Sequence, residues 1–224
     1  MNNTSVLTEI AQPPEKVRRS SESHSPAVLT DIYAQDINMC IWKRELSAEL
    51  LTDIEQYLQG KPNLSITKII KSDAINQELN EILKDFPNLA ALRDNIAELI
   101  DMFSCLFDLK QVGFRLNVLE HAMCPRFHVD KIPCRLITTY SGNGTQWLSH
   151  DRVNRDKLGF KSQGLGDEQS GFYLNADDIQ IVTTGHVALL KGELWQGNEE
   201  AGLVHRSPPA SSDEKRLVMT LDFV

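Results

Sequence analysis

The sequence predicts an α+β chain. Its second half is expected to fold as a jelly-roll-like double-stranded β-helix, a cupin-like barrel, with helices from the first half packed on the outer sheet. Three observations lead there. Before about residue 110, apolar residues recur at three- and four-residue steps. After Gly113 they come in short runs punctuated by Gly, Asn and Pro. The length of 224 residues, with 41% hydrophobic content, suits one core of that size.

Residues 1–27 are polar, with Pro13, Pro14, Pro26 and serines from Ser20 to Ser25, and predict a flexible leader in which His24 is solvated. Residues 28–224 are then one domain, mainly helical over 28–110 and mainly β over 111–224. Ile37–Trp42 predicts a short strand. Ser47 is placed to cap a helix through Leu50, Leu51, Ile54 and Leu58 that ends at Gly60. Ser65–Ile70 is a second short apolar segment. Ser72 or Asp73 would start a helix carrying Ile75, Leu79, Ile82 and Leu83, stopped near Pro87. Leu89, Leu92, Ile96, Leu99, Phe103 and Leu106 mark the clearest amphipathic helix of the chain.

In the second half, Phe114–Glu120, Arg135–Tyr140, Thr145–Leu148, Ile179–Thr183, Val187–Lys191 and Leu217–Phe223 read as strands. Gly142-Asn143-Gly144 reads as a hairpin turn. Residues 150–176 show little periodicity and predict a long loop.

The chemistry centres on Cys124-Pro125-Arg126-Phe127-His128-Val129-Asp130. In an extended chain residues i and i+2 share a face, so His128 and Asp130 would aim at one point. A distant second histidine would complete a 2-His-1-carboxylate triad, the set that leaves positions open on an iron(II) ion. His205, in Gly202-Leu203-Val204-His205-Arg206-Ser207, is the candidate, and Arg216 follows it in the closing strand. A bare His-x-Asp is common; its combination with the late His and Arg is more specific.

Net charge is −8 and the pI about 5.3, with no basic cluster, which argues against nucleic acid or an anionic membrane as partner. No signal peptide and no membrane-spanning apolar run is visible, so a cytoplasmic protein is expected. Cys40, Cys105, Cys124 and Cys134 have no C-x-x-C spacing and are read as reduced thiols. Nucleophile-elbow, Walker A, dinucleotide and H-E-x-x-H motifs are absent. Oligomeric state has no signature.

The order His128-Val129-Asp130, Arg135–Tyr140, Gly142-Asn143-Gly144-Thr145, Gly185–Leu190, His205, Arg216 resembles the core of the iron(II)/2-oxoglutarate dioxygenases over roughly residues 112–223. Whole phrases, including Cys124–Asp130, Gly144–Leu148, Gly202–Pro209 and Arg216–Phe223, are similar to a bacterial family known only as a domain of unknown function, loosely associated with metal homeostasis. The first resemblance implies Fe(II) on His128, Asp130 and His205, 2-oxoglutarate as cosubstrate, and an unknown small-molecule or protein substrate. It implies that Arg216 grips the distal carboxylate with a fork that lysine cannot form.

Each residue has a plainer alternative. His128 and Asp130 could share a hydrogen bond at a strand end. Arg216 could pair on the surface with Asp213 or Glu214. Tyr140 could donate to the cosubstrate or be a core tyrosine. Trp147 and Trp195 could stack on substrate or pack in the core, and Arg126 and Arg206 could bind an anion or form structural ion pairs. If Cys124 joins the ligands, zinc is favoured and the chain becomes a zinc-binding protein of the same fold, hydrolytic or serving metal homeostasis. A metal-free binding module comes third. His121, His150 and His186 are read as structural or surface residues.

Overall fold

The computed structural model describes residues 17–60, 63–86, 88–209 and 215–224. The strands are β1 (Arg19–Ser23), β2 (Ile37–Trp42), β3 (Ser65–Lys71), β4 (Gln111–Leu119), β5 (Cys134–Ser141), β6 (Gln146–Leu148), β7 (Gln180–Ile181), β8 (Val187–Lys191), β9 (Val204–Arg206) and β10 (Arg216–Asp222). The helices are α1 (Ala48–Gln59), α2 (Ile75–Ile82) and α3 (Ala90–Phe107).

A seven-stranded sheet in the order β1-β2-β8-β5-β10-β4-β3 dominates, with a three-stranded sheet β7-β6-β9 beside it. The fold is thus mixed α and β, with one large sheet and few helices. Strand alternation gives the large sheet two apolar faces. Cys134, Leu136 and Tyr140 of β5, Val187 and Leu189 of β8, and Leu217, Met219 and Leu221 of β10 join Leu92, Ile96, Leu99 and Phe103 of α3 in the main core. The intervening Ile137, Ala188, Leu190 and Val218 turn the other way. They pack against Trp147 of β6 and Leu203 beside β9. The second cluster therefore lies between the two sheets.

The helices form where expected. Ser47 Oγ accepts from the Leu50 amide at 3.2 Å, satisfying a free N–H of the first turn of α1. Asp53 of α1 does the same for α3, accepting from Ala91 N at 2.8 Å and Leu92 N at 3.3 Å. A carboxylate there also complements the helix dipole. The expected cap of α2 is not observed: Ile75 follows Ala74, which makes no side-chain cap, while the Ser72 hydroxyl bonds the Lys110 carbonyl instead. Pro87 lies outside the described residues.

The expected leader needs correction. Residues 1–16 lie outside the described residues, but Arg19–Ser23 form a strand pairing parallel with β2. It is an edge strand, so backbone pairing needs no apolar alternation in its side chains. Residues 150–176 hold only short 3-10 turns. They are nonetheless packed: Phe172 and Tyr173 cluster with Phe127, Leu148 and Val204 on the outer side of the small sheet. No described helix is long and apolar enough to cross a membrane.

Candidate metal and anion site

Between β4 and β5 the chain runs through the segment carrying His128 and Asp130. A single antiparallel rung fixes it: His128 N donates to His205 O, and His205 N to His128 O, both at 3.0 Å. Alternation sends Phe127, Val129 and Val204 outward into the loop-covered cluster. His128, Asp130 and His205 come together on the other side. Beyond the rung, Asp130 O accepts from Glu193 N at 2.9 Å. A Cβ on Gly192 would sit 2.0 Å from the Ile132 carbonyl oxygen and 2.8 Å from that of Asp130. Only glycine allows that approach.

Asp130 Oδ2 is 3.5 Å from His205 Nε2, and Oδ1 is 3.8 Å from His128 Nε2. One ligand atom from each residue lies within 4.8 Å of the others. The tautomers are set locally. His128 Nδ1 lies 2.9 Å from Arg126 O and His205 Nδ1 3.1 Å from Leu203 O. A carbonyl only accepts, so each Nδ1 carries the proton and each Nε2 keeps its lone pair free. Burial pushes the His205 imidazole down to about 4, and His128 nearby pushes the same way against the opposing pull of Asp130. His205 is therefore neutral at physiological pH, the form a metal binds.

Arg135, read from sequence only as the start of a strand, holds the carboxylate. Its Nη1 is 2.8 Å from Asp130 Oδ2, yet no N–H is aimed at that oxygen, which stays buried without a hydrogen bond. The rest of the guanidinium grips Asp222, Nε to Oδ1 at 2.7 Å and Nη2 to Oδ2 at 3.3 Å. Arg115 pairs with Asp222 from the other side. The result is a chain of alternating charge ending at Asp130. Arg135 and Asp222 are charged residues at inward-facing strand positions, and that misplacement is the signal by which the sequence could have revealed them.

Arg216 shares the inward face with Val218. Its Nη2 donates to Thr145 Oγ1 at 2.9 Å and Thr139 Oγ1 at 3.2 Å. Its Nε is buried with no partner. Among the described residues no carboxylate pairs with it, and Asp213 and Glu214 lie outside them. Burial lowers the guanidinium to about 10, leaving it charged at neutral pH. A buried cation held only by neutral hydroxyls is costly without an anion.

Tyr140 requires a correction. It faces the helices, and its hydroxyl donates to Asn95 Oδ1 at 3.0 Å. Alternation along β5 puts it on the face opposite Thr139, away from Arg216 and the His128–Asp130–His205 group. Cys124 is exposed and outside the His128–Asp130–His205 group, and Cys134 is buried on the helix side. Arg126 and Arg206 pair with Asp167 on the outer side of the small sheet, where the Arg206 guanidinium also lies 4.3 Å from the Phe127 ring centroid. Trp195 packs against Tyr33 and Phe107, away from the site, whereas Trp147 lies between the sheets. His121, His150 and His186 belong to no metal-binding group among the described residues.

Comparison with known proteins bears on the fold and the family. No curated protein matches the chain. The dioxygenase for auxin oxidation 1 from Arabidopsis thaliana, in its 2-oxoglutarate complex, is similar in fold, with a TM-score of 0.53 at 10% identity over 93% of this chain and 94% of that one. The rice dioxygenase for auxin oxidation has a TM-score of 0.49 at 10% identity, covering 92% and 83%. A prolyl-4-hydroxylase from Pseudomonas putida has a TM-score of 0.43 at 10% identity, covering 88% and 98%. At such identities the likeness concerns fold alone. Residues 23–222 match the family described as "Protein of unknown function (DUF1826)".

Proposed function

We propose that this chain, which belongs to the DUF1826 family, is an iron(II)/2-oxoglutarate-dependent oxygenase on a double-stranded β-helix core, acting on a small molecule or protein in the cytoplasm. One observation carries the reading: His128, Asp130 and His205 each offer one ligand atom, all within 4.8 Å of one another. That donor set suits a divalent metal with open positions. Arg216, buried and with no carboxylate partner among the described residues, adds a counter-charge for a dicarboxylate.

Bound there, iron(II) with 2-oxoglutarate supplies dioxygen-dependent oxidation of the substrate. The protein's own share is positioning. The backbone rung fixes the spacing of the two imidazoles. Arg135 lies against Asp130 Oδ2 and would hold the carboxylate in place for the ion. Thr139 and Thr145 orient the Arg216 fork, and the apolar cluster around Ile137, Leu190 and Val218 keeps water from it. Cys124, exposed and apart, gives no support to the zinc alternative.

The test uses protein purified without a metal-binding tag. Anaerobic protein loaded with iron(II) should develop visible charge-transfer absorption on addition of 2-oxoglutarate. His205→Ala should lose stoichiometric metal yet keep its circular dichroism spectrum, because an open site contributes less to folding than a closed structural one. Wild-type protein that holds iron but does not respond to 2-oxoglutarate would sink the oxygenase reading.

A further inference from the structure

Seven buried side-chain polar atoms among the described residues have no hydrogen-bond partner. Two of them, Asp130 Oδ2 and Arg216 Nε, belong to the proposed metal and anion positions. A third is the indole Nε1 of Trp147. An indole N–H can only donate, and burying one without an acceptor is costly enough to be rare in native structures.

Its place in the fold makes it informative. Trp147 is 3% exposed and packs between the sheets with Ile137, Val218 and Leu203. In the β6–β9 pairing it stands directly opposite His205. Side chains of such a pair lie side by side on one face. Two residues back on the same face is Thr145, whose hydroxyl accepts from Arg216. Gln146, between them, turns outward and bonds Arg206. One edge of β6 thus runs from the anion position at Thr145 to the metal position at His205. Trp147 stands at the metal end of that edge. The other two tryptophans differ: Trp42 Nε1 already donates to His24 O at 3.2 Å, and Trp195 lies on the helix side.

We propose that Trp147 is a further ligand-binding residue of this site: its indole N–H donates to the carboxylate at the oxo-acid end of a bound 2-oxo dicarboxylate, while Arg216 takes the far carboxylate. This rests on the function proposed above and adds a specificity element to it. A lone donor at the metal end donates to a carboxylate oxygen and disfavours a ligand that presents an ammonium group there.

The experiment uses the full chain loaded with zinc(II), which binds the same donor set without redox chemistry. 2-Oxoglutarate is titrated by calorimetry into wild type and Trp147→Phe, which removes the N–H and keeps an aromatic ring. Affinity should fall about tenfold, the size expected for one charge-assisted hydrogen bond. In parallel, ¹⁵N-indole spectra of the wild type should show one N–H resonance moving on 2-oxoglutarate addition while those of Trp42 and Trp195 stay. Trp42→Phe and Trp195→Phe assign the signal by elimination, so this arm decides the matter even if Trp147→Phe does not fold. Equal affinity in a folded Trp147→Phe, or an unmoved Trp147 indole in saturated wild type, overturns the assignment and leaves the metal and Arg216 reading intact. Wild-type protein with no affinity for 2-oxoglutarate overturns both.

Discussion

Replacing Arg135 with Met should destabilise the metal-free protein far more than the metal-loaded one. The Arg135 guanidinium lies 2.8 Å from Asp130 and 2.7 Å from Asp222, two carboxylates whose side chains are only 12% and 6% exposed. Removing one partner of a buried pair leaves an uncompensated charge and costs about 3–5 kcal/mol. Asp222 keeps Arg115, so the lower end applies, about 3 kcal/mol. For a domain of this size that is a fall in Tm of about 6–12 °C. A divalent ion on Asp130 would replace the lost cation, so saturating metal should recover a large part of the difference beyond the stabilisation it gives wild type. Arg135→Lys keeps the charge without the two-sided grip and should fall between. The assay is thermal unfolding followed by circular dichroism, with and without zinc(II). A metal-free Arg135→Met melting within about 2 °C of wild type would refute the argument, since it would place the pair among ordinary surface ion pairs.

Arg216→Ala should weaken 2-oxoglutarate binding to the metal-loaded protein by at least about tenfold, and Arg216→Lys should not restore it; calorimetry showing wild-type affinity in both would remove Arg216 from the site. Tyr140→Phe should lose the hydroxyl's bond to Asn95 and its weaker contact with Met219, about 1 kcal/mol of stability, with 2-oxoglutarate affinity unchanged, and a large affinity loss would contradict its placement on the helix face. Lys191 gives a pH test. Burial lowers its ammonium to about 8, from an ordinary 10.5. Between those values the unfolded chain binds more protons, so wild-type stability gains from this group as pH rises through the window. Lys191→Met should therefore show its most favourable Tm relative to wild type near pH 7, the difference shifting toward wild type by pH 10. The Cys40 thiol, pushed up to about 12, and the raised Cys134 thiol stay neutral across that range. A Tm difference that does not vary with pH would show that Lys191 titrates normally.

The sequence made some of this legible for identifiable reasons. The repeat through Leu92, Ile96, Leu99 and Phe103 declares α3 because burial on one helix face needs that period. His128, Asp130, His205 and Arg216 stand out because their order is unusual for structural residues. Tyr140 stayed open between cosubstrate donor and core tyrosine because alternation tells which residues share a face but not which face is inward; that depends on where β5 lies in the sheet, against β8 and β10. Arg135 and Asp222 stand at inward-facing strand positions, but their pairing with Asp130 becomes visible only once β5 and β10 lie side by side. β1 escaped notice because it is held by backbone bonds at a sheet edge and carries only polar and charged residues.

The rung joining His128 to His205 links two segments far apart in the chain, held by two reciprocal backbone bonds outside any named strand pair on the His128 side. Contacts of that separation require loop closure before they return any stabilisation, so they belong to the slow, high contact-order part of folding. A partly folded chain can hold its helices and the antiparallel β3–β4 pair with His128 and His205 still apart. If this group takes up a metal, its competence to do so would be a property of the finished molecule: an ion offered early would meet isolated histidines, and one offered late a pair already set by the main chain.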